Sequence, residues 1–65
     1  MGAIQPGVVY RLDEFRRITG WGLWAVRTAR RNGLRVIRTA GRAYVRGDDA
    51  LAYFDRLADE GQEDD

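Results

Sequence analysis

The chain contains no His, Cys, Ser or Lys. The ordinary pairs of nucleophile and general base are therefore missing, as are thiolate and imidazole metal ligands and disulfides. Its paired acids, Asp13-Glu14 and Asp48-Asp49, stand where helices would begin and suit the helix dipole better than a catalytic dyad. The chain is not expected to be an enzyme, and neither a metal, a cofactor nor a small-molecule ligand is expected. What remains is arginine, since all eleven basic residues are Arg. A guanidinium is a planar fork that grips a phosphate or a guanine edge through two hydrogen bonds. Codon bias would account for Arg over Lys, but not for where the arginines cluster.

Their placement is uneven. Residues 1–46 hold ten arginines against Asp13 and Glu14, a net +8, whereas residues 47–65 hold Arg56 against eight acids, a net −7. Such a split predicts a basic working surface and an acidic C-terminal end.

The elements that must carry these arginines follow from periodicity. Between Gly20 and Gly33 nothing interrupts a helix from Leu23 to Asn32, and Asn32-Gly33 supplies a left-handed stop. At 100° per residue, Gly22, Val26 and Ala29 share one side of it. Trp24, Arg27, Thr28 and Arg31 share the other. A Trp on a short helix is commonly a core residue, yet Trp24 stands opposite Val26 and Ala29, so core and surface both stay open for it. Before this segment, Leu12, Phe15 and Ile18 or Thr19 recur at helical spacing, with acids in the first turn and Gly20 at the end. Trp21 is expected to plug the core between the two short helices, which form a helix-turn-helix in outline.

After Gly33 the pattern becomes β-favouring, with Leu34–Arg38 and Ala43–Arg46 flanking a turn that contains Gly41. If Ala40-Gly41 is the turn, Val36 faces Val45 on the core side and Ile37 faces Tyr44 outside; a three-residue loop would shift that register. A last helix is expected after Gly47, with Asp48 as N-cap and a stripe of Ala50, Tyr53, Phe54 and Leu57. At the start of the chain, Val8-Val9-Tyr10 is short and β-favouring, with Tyr10 as an anchor. The expected organisation is a flexible N-terminal segment (1–9), a domain (10–58) and a disordered acidic tail (59–65). The tail reads as a solubilising end, as an electrostatic brake on the basic surface, or as a protein-binding tail. A chain of 65 residues is at most one domain with a thin core. No apolar run approaches the ~20 residues of a membrane span and no signal pattern opens the chain, so a cytoplasmic protein without membrane partners is expected.

The order helix, turn, helix, hairpin, helix resembles the excisionase-like and MerR-like winged-helix DNA-binding domains. The residues that carry the likeness are Glu14-Phe15, Gly20, Val26, the Arg-rich end before Gly33-Leu34, Gly41-Arg42, and Asp49-Ala50-Leu51-Ala52-Tyr53-Phe54, over about Tyr10 to Leu57. The chain departs from the family at the N-caps, where Arg11 and Gly22 replace Ser or Thr, and at Arg16, where alanine is common. It has no room for the long dimerising helix and ligand domain of MerR-type activators, so small excisionases are the closer likeness. The resemblance implies an α+β winged helix-turn-helix with a two-stranded wing. Its second helix would enter the major groove of double-stranded DNA, in a bacterial or phage protein that acts in excision or transcription. Arg27 matches a position where such proteins often contact DNA, with Thr28 and Arg31 beside it, Trp24 on a sugar or thymine methyl, and Arg30 on a phosphate. Arg38 and Arg42 would meet the backbone or minor groove, supported by Tyr44. A recombinase, or further copies on adjacent sites, would be the protein partner. The alternative is a protein-interaction adaptor that docks through the Leu51 and Ala58 edge and the acidic tail. RNA binding lacks an exposed aromatic platform.

Overall fold

Strand β1 (Val9–Arg11) leads directly into helix α1 (Leu12–Thr19), in the computed structural model that describes residues 3–60. Helix α2 (Leu23–Arg31), strands β2 (Ile37–Thr39) and β3 (Arg42–Arg46), and helix α3 (Gly47–Asp59) follow. The architecture is a small α+β unit of three helices and one antiparallel sheet in the order β1-β3-β2. The sheet's third strand, β1, comes from the Val-Tyr stretch before the first helix. It pairs Val9 with Arg46, Tyr10 with Val45 and Arg11 with Tyr44.

The hairpin has the two-residue turn. Ile37 pairs with Tyr44, Arg38 with Ala43 and Thr39 with Arg42. Ala40 (φ 52°) and Gly41 (φ 72°) both occupy the left-handed region, as a type I′ turn demands. Glycine is at home there; alanine costs about 1–2 kcal/mol. The pleat then puts Val45 and Ala43 on the helix side and Tyr44 and Arg42 on the outer side. Val36 packs against the core as that register requires.

Helix α1 ends on Gly20 in the left-handed conformation (φ 77°), whose N–H returns to the carbonyl of Arg16 at 2.8 Å. The core is formed by Phe15 of α1, Val26 and Ala29 of α2, Leu34, Val45 of β3, and Ala50 and Tyr53 of α3. Phe54 and Leu57 are half-buried beside it. At the turn between α1 and α2, Trp21 meets three rings edge-on: Phe15 at 5.5 Å, Phe54 at 5.7 Å and Tyr53 at 6.4 Å between centroids. Such contacts add about 0.5–1.5 kcal/mol each beyond the area they bury. Trp21 stands where the core plug is expected, half-buried and packed against the core.

The N-terminal segment and the start of α3 differ from what the sequence predicts. Residues 1–9 were expected to form a flexible segment, yet Val9 lies in the sheet and Ala3–Val8 are fastened to the domain. Tyr10 donates its hydroxyl to the carbonyl of Ala3 (3.2 Å) and accepts from the N–H of Gln5 (2.9 Å), while Ile4 packs on the core. The carbonyl of Val8 accepts from the N–H of Gly47 (2.7 Å). The start of α3 departs from the expected Asp48 cap. Its N-cap is Arg46, without a side-chain capping bond, and Asp48 lies inside the first turn. The Asp48 carboxylate instead accepts from the N–H of Gly7 (3.3 Å) and from Arg46 (3.4 Å). Of the expected acidic tail, Asp59 closes α3 and Glu60 caps it; the remaining residues lie outside those described.

Candidate nucleic-acid interface

Helix α2 begins at Gly22 without a side-chain cap, so both of its ends depend on neighbouring structure. At its start, the backbone of Trp21 is held from two sides. Its N–H donates to Thr19 Oγ1 (3.2 Å), and its carbonyl accepts from Arg16 Nε (3.3 Å). At its end, the N–H of Leu34 bonds the carbonyl of Ala29 (2.9 Å) and that of Gly33 bonds Arg30 (3.1 Å), the two bonds of a Schellman motif. Leu34 is buried and Gly33 is left-handed at φ 114°. Arg56 of α3 completes this end. Its Nη2 donates to the carbonyl of Asn32 at 2.6 Å, and its guanidinium lies 5.3 Å from the Tyr53 ring. A Cβ at Gly33 would stand 2.6 Å from that same nitrogen, so the brace needs glycine there.

The two sides of α2 separate as their spacing predicts, except that Gly22, expected on the buried side, is exposed at the N-cap. Val26 and Ala29 are buried. Trp24 is 76% exposed and Leu23 60%, which places Trp24 on the surface. Arg27, Arg30 and Arg31 are exposed, and Thr28 is half-buried at the flank of this face.

On the hairpin, Arg38 and Arg42 flank the turn, and both line a cleft there with Thr39 and Gly41. Strand alternation sets them on opposite faces of the ribbon, Arg38 with Ala43 and Arg42 with Tyr44. Tyr44 is half-buried between Arg11 and Ile37 on the outer face, so it can support Arg42 but not Arg38.

Among the described residues, the arginines divide cleanly by what they touch. Arg11, Arg17 and Arg46 lie within 4 Å of Asp13, Glu14 and Asp48 respectively. Arg16 and Arg56 donate to backbone carbonyls. Arg27, Arg30, Arg31, Arg35, Arg38 and Arg42 have neither kind of partner, and all six are exposed. These six belong to α2, to the hairpin and to the segment between them. From Phe15 to Gly47 the chain has no acid, so none of their neighbours within that stretch neutralises them.

Sequence reasoning named five of the six and passed over Arg35 as a site residue. It also missed Arg56, whose one available signal was its isolation as the only basic residue after Gly47. Leu51 is half-buried and Ala58 exposed, so the edge suggested for an adaptor offers little apolar surface. No described helix is long and apolar enough to cross a membrane. Comparisons with protein families, with curated proteins and with solved structures find no match.

Proposed function

We propose that the chain is a small winged helix-turn-helix protein that binds double-stranded DNA, with α2 in the major groove and the β2–β3 hairpin as a wing on the flanking backbone or minor groove. One observation carries the reading: the six exposed arginines without an acidic or carbonyl partner all lie on α2, the hairpin and the segment joining them. A bidentate contact between Arg27 and guanine supplies about 1–3 kcal/mol of discrimination between bases. Thr28, Arg31 and Trp24 meet neighbouring base edges or sugars, while Arg30, Arg38 and Arg42 hold phosphates or the minor groove. Such a protein serves as an excisionase-like directionality factor or a small transcriptional regulator in the cytoplasm of a bacterium or phage. A recombinase or further copies on adjacent sites provide the affinity that one small domain lacks.

A gel shift on random-sequence duplex DNA tests this, at low and at high salt, with Arg27→Ala and Arg42→Ala beside the parent. The parent binds at low salt and both variants bind more weakly. Absence of binding by the parent at low salt sinks the DNA reading, and unchanged binding by both variants sinks the assignment of residues.

A further inference from the structure

Beside the wing lies a groove that shares Arg42 with the proposed interface but is otherwise outside it. It is open to solvent, has a volume of about 270 Å³, and runs between the start of α1 and the hairpin turn, lined by Arg11, Asp13, Arg16, Arg42 and Ala43 among others. Three guanidinium-bearing residues reach it from three elements: Arg11 ends β1, Arg16 stands on α1 and Arg42 opens β3. The sheet brings two of them together. Arg11 pairs with Tyr44, which shares a face with Arg42 two residues away, and Arg16 lies on α1 one turn after Leu12. The single acid in the groove is already engaged. Asp13 Oδ1 accepts from the N–H of Glu14 (2.9 Å) and lies 3.7 Å from Arg11 Nε. Arg16 is half-buried and held through Nε, which leaves its terminal nitrogens free to donate. The charged lining, three arginines against Asp13, therefore sums to +2, and Arg42 and the terminal nitrogens of Arg16 have no partner among the described residues.

We infer that this groove grips a backbone phosphate of the bound duplex, clamped between α1 and the wing. The inference rests on the DNA reading and adds Arg11 and Arg16 to it as phosphate-binding residues. Phosphate contacts fix the protein's orientation on the duplex and carry no sequence information. Arg11 and Arg16 thus set the position from which α2 reads bases.

The test is the slope of log K against log salt on the random-sequence duplex, for the parent, Arg11→Gln, Arg16→Gln and the double variant, with Arg17→Gln as control. Glutamine keeps a donor for the carbonyl of Trp21, and thermal melts establish that each variant is folded. Arg11→Gln removes only an exposed ion pair, so it folds irrespective of Arg16. The groove holds one phosphate, and the slope of the double variant is shallower than the parent's by about 0.9. Arg11→Gln alone gives part of that change, and Arg17→Gln none. A parent that binds duplex while Arg11→Gln and the double variant keep its slope overturns the groove and leaves the DNA reading standing. A parent that does not bind duplex overturns both.

Discussion

Trp21 and Trp24 stand three residues apart and serve opposite ends. Trp21 touches three aromatic rings from α1 and α3, whereas Trp24 is three-quarters exposed on α2. Truncating the first opens a hole in a core too small to close over it, at about 3–5 kcal/mol. Truncating the second removes surface that water already covers, and stability should change by no more than about 0.5 kcal/mol. Trp21→Ala is therefore expected to abolish the cooperative urea transition or move it to much lower urea. Trp24→Ala should melt like the parent but bind duplex DNA more weakly. A Trp24→Ala variant as unstable as Trp21→Ala would mean that the exposed ring is part of the core.

At the scale of elements, the junctions decide how well α2 is held. Gly47 is buried where the N-terminal segment crosses the start of α3, and a Cβ there would collide with the backbone carbonyl of Gln5. Backbone cannot rotate aside as a side chain would, so Gly47→Ala should lose about 1–3 kcal/mol of stability in chemical denaturation. Loss of the Gly47–Val8 hydrogen bond accompanies it, so amide exchange at Gly47 should quicken well beyond that of Val45. Arg56→Ala removes the bond to the carbonyl of Asn32 and should lose about 1 kcal/mol. Its signature is local: amide exchange quickens at Gly33 and Leu34, while the α1 amides keep their protection.

These junctions also mark where the sequence stops being legible. Helix α1, helix α2 and the hairpin could be read because each is written in local spacing and in a left-handed residue at its end. The hairpin's register stays open in the sequence between a two- and a three-residue loop; the pairing of Thr39 with Arg42 fixes it. Gly20, Gly33 and Gly41 act within a few residues of themselves. The pairing of Val9–Arg11 with β3 joins positions more than thirty residues apart, and no local pattern encodes it. The same holds for Gly47 beneath Gln5 and for Arg56 at the end of α2. In the candidate site, helical spacing told buried Val26 and Ala29 from exposed Arg27 and Arg31. It left Trp24 open, because one exposed and one core tryptophan in the same short segment share a composition. Only packing shows that Trp21 already occupies the place a second one would need.

For the molecule as a whole, charge is divided between surfaces, and the division has a measurable consequence. The described acids stand at the start of α1 and along α3, and the six unpartnered arginines stand on α2, the hairpin and the segment between them. The acids of α3 approach the end of α2, where Glu60 shares a cleft with Asn32 and Arg56. Glu60 thus lines a cleft with the residue that follows Arg31, Asp59 precedes it in the chain, and phosphates approaching that end meet their repulsion. The domain measures only 38 × 23 × 17 Å, so at low salt the repulsion extends over much of it. The Debye length is about 30 Å at 0.01 M and about 10 Å at 0.1 M, so added salt confines the effect to immediate neighbours. Asp59→Asn with Glu60→Gln should therefore raise affinity for random-sequence duplex several-fold at 0.01 M salt, and the gain should shrink steadily as salt rises past 0.1 M. Both side chains are exposed, so thermal stability should stay within about 0.5 kcal/mol of the parent. Fluorescence anisotropy of a labelled duplex across that salt range makes the measurement. Equal affinities at 0.01 M would show that the acidic end exerts no restraint on the basic surface, and its charge would then serve solubility alone.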